Sequence, residues 1–188
     1  MTVGMAHLHA LYATSDDPWD FATSSYEQEK FRATRAALSK RRYAAGLEIG
    51  CGNGALAKHL APCCSRYTGL DAVGKAIETA EQAVPSARFV QAFYPCPLPD
   101  DDYDLIIVSE FLYFLDPSGI QALARRISDR WSAAEVICVT YLGDTGNQLQ
   151  GRDALQLFMA SLATTHRFQT CRHTAHYRID RGIPGDDQ

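Results

Sequence analysis

The segment Leu47-Glu48-Ile49-Gly50-Cys51-Gly52-Asn53-Gly54 constrains this chain more than any other. Its three glycines alternate with other residues just after a short apolar run. Glycine permits backbone angles that other residues resist, and it lets a ligand approach the chain with no Cβ in the way. A strand that turns through such a loop into a helix leaves the first N–H groups of that helix unpaired. The segment therefore predicts a strand, a ligand-facing loop and a helix in immediate succession. Gly50-x-Gly52-x-x-Ala55 also satisfies the dinucleotide pattern G-x-G-x-x-G/A.

The flanking sequence extends this unit into an alternation of strands and helices, the pattern of an α/β fold. A helix is predicted over 26–38, because Ser24-x-x-Glu27 and Ser25-x-x-Gln28 both read as capping boxes. The first strand is predicted at 46–50, followed by a helix at about 54–61 that Pro62 stops. A strand at 67–70, a helix at 74–83 and a strand at 88–91 follow. A Pro-rich connector over 94–99 leads to a strand at 104–109, whose core Leu105-Ile106-Ile107-Val108 is apolar on both faces, as the centre of a parallel sheet requires. Asp116-Pro117 opens the next helix, with Asp as N-cap and Pro at N1. A strand at 135–141 and a helix at about 152–164 precede two strands, 167–171 and 174–180, joined so tightly around Arg172-His173 that they must be antiparallel. The sum is a mostly parallel sheet of seven strands flanked by helices, with an antiparallel hairpin at one edge. Residues 1–17 and 182–188 read as loose ends.

Composition narrows the function classes. A length of 188 residues predicts one domain with modest decoration. The 18 basic and 22 acidic residues give a net charge of −4 and no basic strip beyond Lys40-Arg41-Arg42, which argues against a nucleic-acid partner. No apolar run approaches the ~20 residues of a membrane span, so no membrane partner is expected. The N-terminus lacks a basic region followed by an apolar one, so no secretory signal is expected. The six cysteines form no C-x-x-C pair and read as reduced thiols of a cytoplasmic protein. No metal site is expected either: His173-x-x-His176 lies in a β-like segment, where an offset of three points to opposite faces.

Glu48 separates the possible ligands of the glycine loop. A pyrophosphate would be repelled by a carboxylate two residues before the first glycine, whereas an ammonium or sulfonium would be attracted. S-adenosyl-L-methionine (SAM) carries both cations and no phosphate. Asp71 closes the second strand 21 residues after Gly50, where a carboxylate can accept both ribose hydroxyl protons. The simpler alternatives are a helix N-cap at Asp71 and a surface charge at Glu48.

Glu48-x-Gly50-x-Gly52-x-Gly54 followed by Asp71 resembles the first two motifs of class I SAM-dependent methyltransferases. Asp16-Asp17-Pro18-Trp19, Tyr26-Glu27-Gln28-Glu29-Lys30, Leu47-Glu48-Ile49-Gly50-Cys51 and Ser109-Glu110-Phe111-Leu112-Tyr113-Phe114-Leu115 resemble the NodS-type family. Its name-giving members methylate the glucosamine nitrogen of rhizobial chitooligosaccharide signals. The resemblance implies a Rossmann-like class I methyltransferase fold with strand order 3-2-1-4-5-7-6. It implies an N-terminal segment and helix over 1–40 that could act as a lid, a SAM-binding domain over 41–181 and a tail over 182–188. The implied activity is in-line methyl transfer from SAM, yielding S-adenosyl-L-homocysteine without a metal, to a small-molecule acceptor. An amine nitrogen of an amino sugar or related metabolite is the expected acceptor, with an O- or S-methyltransferase as the alternative. A non-catalytic SAM-binding protein and an NAD(P)-dependent oxidoreductase are more remote. Either a monomer or a homodimer is compatible with the sequence.

Two departures from the family pattern affect the site. No acid follows the third strand; Gln91-Ala92-Phe93-Tyr94 stands there, so Ala92 backbone with Phe93 or Tyr94 is expected at the adenine. The turn before the fifth strand is Arg130-Trp131-Ser132-Ala133-Ala134 and lacks the usual glycines. Beyond the strand ends, where open α/β sheets bind ligands, Ser109 and the acceptor-facing candidates Glu110 and Tyr113 are expected. Glu110 would hold an ammonium and could take its proton; its alternative is the methionine amine of the cofactor. No Asn/Asp-Pro-Pro-Tyr follows the fourth strand, which weighs against nucleic-acid bases and protein amides as acceptors. Trp19, Tyr26 and Lys30 are expected over the cofactor, with Tyr26 and Lys30 on one helix face and Lys30 meeting the cofactor carboxylate.

Overall fold

The apolar run at 105–108 sets the architecture, because all four side chains are buried and alternate between two faces. A strand of this kind needs a layer of helices on each side. The computed structural model describes residues 5–185. In chain order the elements are α1 (Met5–Thr14), α2 (Ser25–Ala37), β1 (Tyr43–Ile49), α3 (Ala57–Leu60), β2 (Cys64–Asp71), α4 (Gly74–Ala83), β3 (Arg88–Gln91), β4 (Leu105–Ser109), α5 (Pro117–Arg130), β5 (Glu135–Tyr141), α6 (Gly151–Ser161), β6 (His166–His173) and β7 (Tyr177–Pro184). Short 3-10 turns follow α3 and precede α5.

Among the described residues the strands form one sheet in the order β3-β2-β1-β4-β5-β7-β6. The first five are parallel, and β7 pairs antiparallel with both β5 and β6. Ile106 and Val108 of β4 pack with Leu47, Val136 and Cys138 against Ile120, Leu123 and Ile127 of α5 and Leu155 and Phe158 of α6. Leu105 and Ile107 pack with Ile137 and Val139 against Phe31 of α2, Leu60 of α3 and Ala80 of α4. The predicted α/β class, strand order and terminal hairpin are therefore present.

Local chemistry explains the starts of the long helices. Ser24 accepts the Glu27 N–H at 3.3 Å and opens α2, and Asp116 accepts the Gly119 N–H at 2.7 Å and opens α5 behind Pro117. The glycine-free turn before β5 is held otherwise: Trp131 donates its N–H to Ile127 and its ring N–H to Asp101, and Ala134 closes onto the Trp131 carbonyl.

Several expected boundaries are corrected. Residues 1–17 are not loose throughout, since α1 occupies 5–14; its near-absent amphipathic periodicity hid it. The tail expected from residue 182 begins later, because β7 continues through Pro184 against β6; residues 186–188 lie outside the described residues, as do 1–4. The hairpin strands start at 166 and 177, and β6 carries a bulge between Thr170 and Arg172. β1 begins three residues before Gly46, because the Asp104 carboxylate holds the Ala44 and Ala45 N–H groups. β2 likewise starts at Cys64, paired with Tyr43. The helix expected from Gly54 shrinks to Ala57–Leu60, since Gly54 itself is left-handed and the Asn53 side chain caps Ala55.

A buried carboxylate fixes the entry into β1. Glu135 is 2% exposed and accepts the Ser39 N–H at 2.9 Å, the Tyr43 hydroxyl at 2.8 Å and the Ser39 hydroxyl. Glu135→Ala leaves those donors buried and unpaired. We expect it to lower stability by about 3 kcal/mol in urea unfolding, with little change in secondary structure by circular dichroism.

Candidate active site

A cavity of about 640 Å³ opens beyond the carboxyl ends of β1, β2, β4 and β5, roofed by α2 and the segment before it. All fourteen residues singled out by sequence line it: Trp19, Tyr26, Lys30, Glu48, Gly50, Cys51, Gly52, Asp71, Ala92, Phe93, Tyr94, Ser109, Glu110 and Tyr113. They divide between two ends.

The glycine loop forms one end. Gly50 has φ +84°, and a Cβ there would lie 2.6 Å from the Ser109 carbonyl oxygen, so only glycine lets β1 and β4 converge. Gly52 is also left-handed, with φ +51°. The expected free N–H groups are not there. Gly50 and Cys51 both donate to the Leu70 carbonyl, and Gly52 donates to Asp71 Oδ2 at 2.9 Å. The loop N–H groups thus bind the loop to β2, and the short α3 adds no anion site. The other Asp71 oxygen accepts the Val73 N–H at 2.9 Å; the helix N-cap weighed as the simpler reading is not formed by Asp71, since Val73 holds the N-cap position of α4. Burial pushes the Asp71 pKa up, partly opposed by these N–H donors. The Cys51 side chain packs into the core, and burial raises its thiol pKa, so Cys51 contributes to the cavity wall as backbone and as an inert thiol.

Glu48 is fully buried rather than exposed at a frayed strand end. Its Oε2 accepts the Tyr67 hydroxyl at 2.8 Å, while Oε1 is buried without a hydrogen-bond partner. Burial, opposed by the Tyr67 hydroxyl and reinforced by the Asp71 carboxylate, pushes its pKa up to about 8. That burial favours the neutral acid form of Glu48 in the ligand-free cavity. Ala92 follows β3 and donates its N–H to the Asp71 carbonyl. Phe93 is 62% exposed at the cavity mouth, whereas Tyr94 is buried edge-on against Phe111.

The other end is an ionic cluster. Lys30 is 2% exposed, with Nζ 2.8 Å from Glu27 Oε2 and 2.9 Å from Glu110 Oε1. Burial alone would lower the Lys30 pKa; the two carboxylates outweigh it and the net shift is upward. The charge of Lys30 is therefore partnered by protein carboxylates, unlike the expected pairing with a cofactor carboxylate. Glu110 has φ +48° and donates its N–H to the Val139 carbonyl, so the chain leaves β4 abruptly at this residue. Tyr26, Tyr113 and Tyr141 line the cavity around the cluster. Burial and the nearby carboxylate of Glu110 hold the Tyr113 hydroxyl well above its usual range, and burial pushes Tyr26 up to about 12.

Sequence reasoning missed Glu27, Tyr12 and Tyr141. Glu27 reads in sequence as a capping-box residue within the family-like segment 26–30, with no site role assigned, yet its side chain turns inward to Lys30. Tyr12 is 3% exposed and reaches Gly52, where a Cβ would lie 3.2 Å from its hydroxyl. Tyr141 ends β5, and the rule that ligands gather at carboxyl strand ends could have found it. The N-terminal segment is tied to the loop by Asn53, whose amide donates to the Asp16 carbonyl at 3.1 Å and to Asp17 at 3.2 Å.

The raised pKa of Glu48 has a sign that can be checked. The group is protonated in the folded state up to about 8 but ionises near 4.5 when unfolded, so it stabilises less as pH rises across that window. Relative to wild type, Glu48→Gln should gain on the order of a few kcal/mol between pH 5 and pH 9 in ligand-free urea unfolding. A constant difference at both pH values would contradict the buried, ligand-free state of Glu48.

A family model for nodulation protein S (NodS) matches residues 5–139. Nodulation protein S of Bradyrhizobium diazoefficiens is 30% identical over 172 residues, spanning 85% of this chain and 81% of the relative. Nodulation protein S of Sinorhizobium fredii is 33% identical over 118 residues, covering 58% of this chain and 53% of that protein. Among solved structures, the N-methyltransferase NodS of Bradyrhizobium japonicum in complex with S-adenosyl-L-homocysteine superposes with a TM-score of 0.80 at 22% identity, covering 96% of this chain and 98% of that one. A putative methyltransferase from Pseudomonas syringae superposes with a TM-score of 0.72 at 28% identity, covering 85% and 99%. Extent and identity together place this chain in the nodulation protein S (NodS) family.

Proposed function

We propose that this chain, a SAM-dependent methyltransferase of the NodS family, moves a methyl group to a basic nitrogen of a small molecule, an amino sugar or a related metabolite. The observation that carries the nitrogen reading is the charge of the ionic cluster. Glu27, Lys30 and Glu110 sum to −1 in a tyrosine-walled cavity, which favours a cationic guest. A hydroxyl or thiol acceptor would leave that charge unmatched. The N-methyltransferase among the structural relatives supports the same choice.

The glycine-loop end fits the cofactor. Glu48 Oε1 is a buried acceptor without a donor, Asp71 presents a carboxylate at the cavity, and Phe93 exposes an aromatic face beside it. SAM supplies a methyl carbon activated by its sulfonium. Asp71 takes the ribose hydroxyls on the lone pairs that Gly52 and Val73 leave free. Glu48 takes the ammonium and ionises as it does so. Phe93 and Tyr94 flank the adenine beside the Ala92 backbone, while Gly50, Cys51, Gly52 and Ser109 form the floor. Trp19 and Tyr26 belong to the roof, and residues 1–40 serve as a lid over the domain that follows. Glu110, paired only through Oε1, holds the acceptor ammonium beside Tyr113. The protein's contribution is alignment of nitrogen and methyl carbon with water excluded.

Two substitutions test the assignment. Asp71→Ala removes charge-assisted hydrogen bonds of about 1.5–3 kcal/mol each, so the SAM dissociation constant should rise by about 100-fold in calorimetry. An unchanged constant would defeat the ribose role. Glu110→Gln keeps shape and removes charge. It should bind S-adenosyl-L-homocysteine normally while methyl transfer to an amine falls. Lost SAM affinity with normal turnover at saturating SAM would move Glu110 to the cofactor.

A further inference from the structure

The cluster Lys40-Arg41-Arg42 does not stand alone in the folded chain. Arg32 and Arg35 lie three residues apart on the outer face of α2, and Lys58 lies on α3. Phe31 packs on the His59 ring with centroids 5.5 Å apart, which holds the two helices together. Arg42 donates to the Pro62 carbonyl at 3.4 Å, so its guanidinium sits just past α3. All six cations are exposed. His59 registers their field: burial lowers its pKa, and Arg32, Arg35 and Lys58 lower it further.

No acids balance these charges. Among the described residues none of the six is ion-paired to a carboxylate. Elsewhere Arg66 and Arg88 meet Asp101, and Arg126 and Arg130 meet Asp100. Glu29, the exposed acid of α2, is taken by Arg172 at 2.8 Å. In a chain of net charge −4 this face is a local reversal of sign. Its like charges repel one another until an anionic partner covers them.

We propose that this face docks the protein on a bilayer rich in anionic phospholipid. Guanidinium groups match phosphate oxygens with paired hydrogen bonds. A stable protein partner would need an apolar centre, and the exposed large apolar side chains, Trp19, Phe93 and Ile183, lie on neither α2 nor α3. A polynucleotide would meet a chain of net negative charge and no exposed aromatic ring on these helices for its bases to stack on. A bilayer needs neither feature. Its attraction falls off within a Debye length, so the remote acids of the chain weigh little against the nearby cations. Among the described residues no helix is long and apolar enough to cross a membrane, so the contact is one of surfaces. Docking leaves the cavity open. Lys30 meets Glu110 at the end of β4, whereas Ser39, just past α2, meets Glu135 at the start of β5. The basic half of α2 therefore lies away from the carboxyl edge where ligands enter.

The test is co-sedimentation with vesicles of phosphatidylcholine alone or mixed in equal parts with phosphatidylglycerol. Wild type should sediment with the anionic vesicles at about 0.1 M salt and be released at about 1 M, where the Debye length falls to about 3 Å. Each basic residue near such a surface contributes about fivefold in affinity. Binding should therefore fall about 30-fold in the double variant Arg32→Gln with Arg35→Gln, and by a similar factor in Arg42→Gln with Lys58→Gln. Arg152→Gln, an exposed charge removed from α6, should bind as wild type does. All variants should keep their affinity for S-adenosyl-L-homocysteine, which reports an intact fold. Equal sedimentation with both vesicle types, no sedimentation at about 0.1 M salt, or double variants that bind as wild type does would overturn the proposal. So would duplex DNA that, at equal phosphate, strips the protein from the vesicles; the occupant would then be a polynucleotide.

Discussion

A lysine held between two carboxylates joins parts of this fold that are far apart in sequence. Lys30 and Glu27 belong to α2, and Glu110 stands where β4 ends, so the pairing pins the N-terminal helix across the carboxyl edge of the sheet. Burying an ammonium costs several kcal/mol unless it is paired, and two partners make this position of α2 strongly preferred. The cavity exists because of that placement: α2 is its roof and the strand ends are its floor. Phe31 reinforces the docking from below, packing on Phe21 and on the apolar face of the sheet.

The two ends of the cavity apply the same physics. Glu48 and Glu27 are both buried, and burial raises the pKa of each. Glu48 has an oxygen with no hydrogen-bond donor, whereas Glu27 already faces the Lys30 ammonium at 2.8 Å. An isolated buried carboxylate is costly as an anion and acceptable as an acid, so Glu48 stores a response to a cation, while Glu27 already has one in Lys30. The reaction we propose brings a cation to each end. On that reading the protein is tuned to be filled rather than to be stable empty.

Much of this was legible from spacing alone. The glycine loop, Asp71, the doubly apolar β4 and the tight terminal hairpin mark a mostly parallel sheet with an antiparallel edge, because each limits backbone geometry or burial to few options; the strand order followed from the family resemblance. The chemically distinctive residues also gather at one cavity, since a parallel sheet sends its strand ends to one edge. What stayed hidden depends on side-chain direction. Glu27 sits in a capping motif, and nothing in the motif says that its carboxylate turns to Lys30. The loop N–H groups look available in sequence, but Leu70 and Asp71 take them, which only the register of β1 on β2 reveals. Glu135 looks like an ordinary strand residue until Ser39 and Tyr43 close around it.

The left-handed backbone of Glu110 sets two demands against each other. A side chain with a Cβ at φ +48° costs about 1 kcal/mol or more relative to glycine, which adopts that angle freely. Glycine there would relieve the backbone strain, yet it would leave Lys30 with Glu27 as its one carboxylate partner. Asparagine tolerates the angle almost as well and is too short to reach the ammonium in the same way. Selection for thermal endurance alone would therefore drift towards residues that disarm the site, and a library screened only for melting temperature should enrich its least active members at this codon.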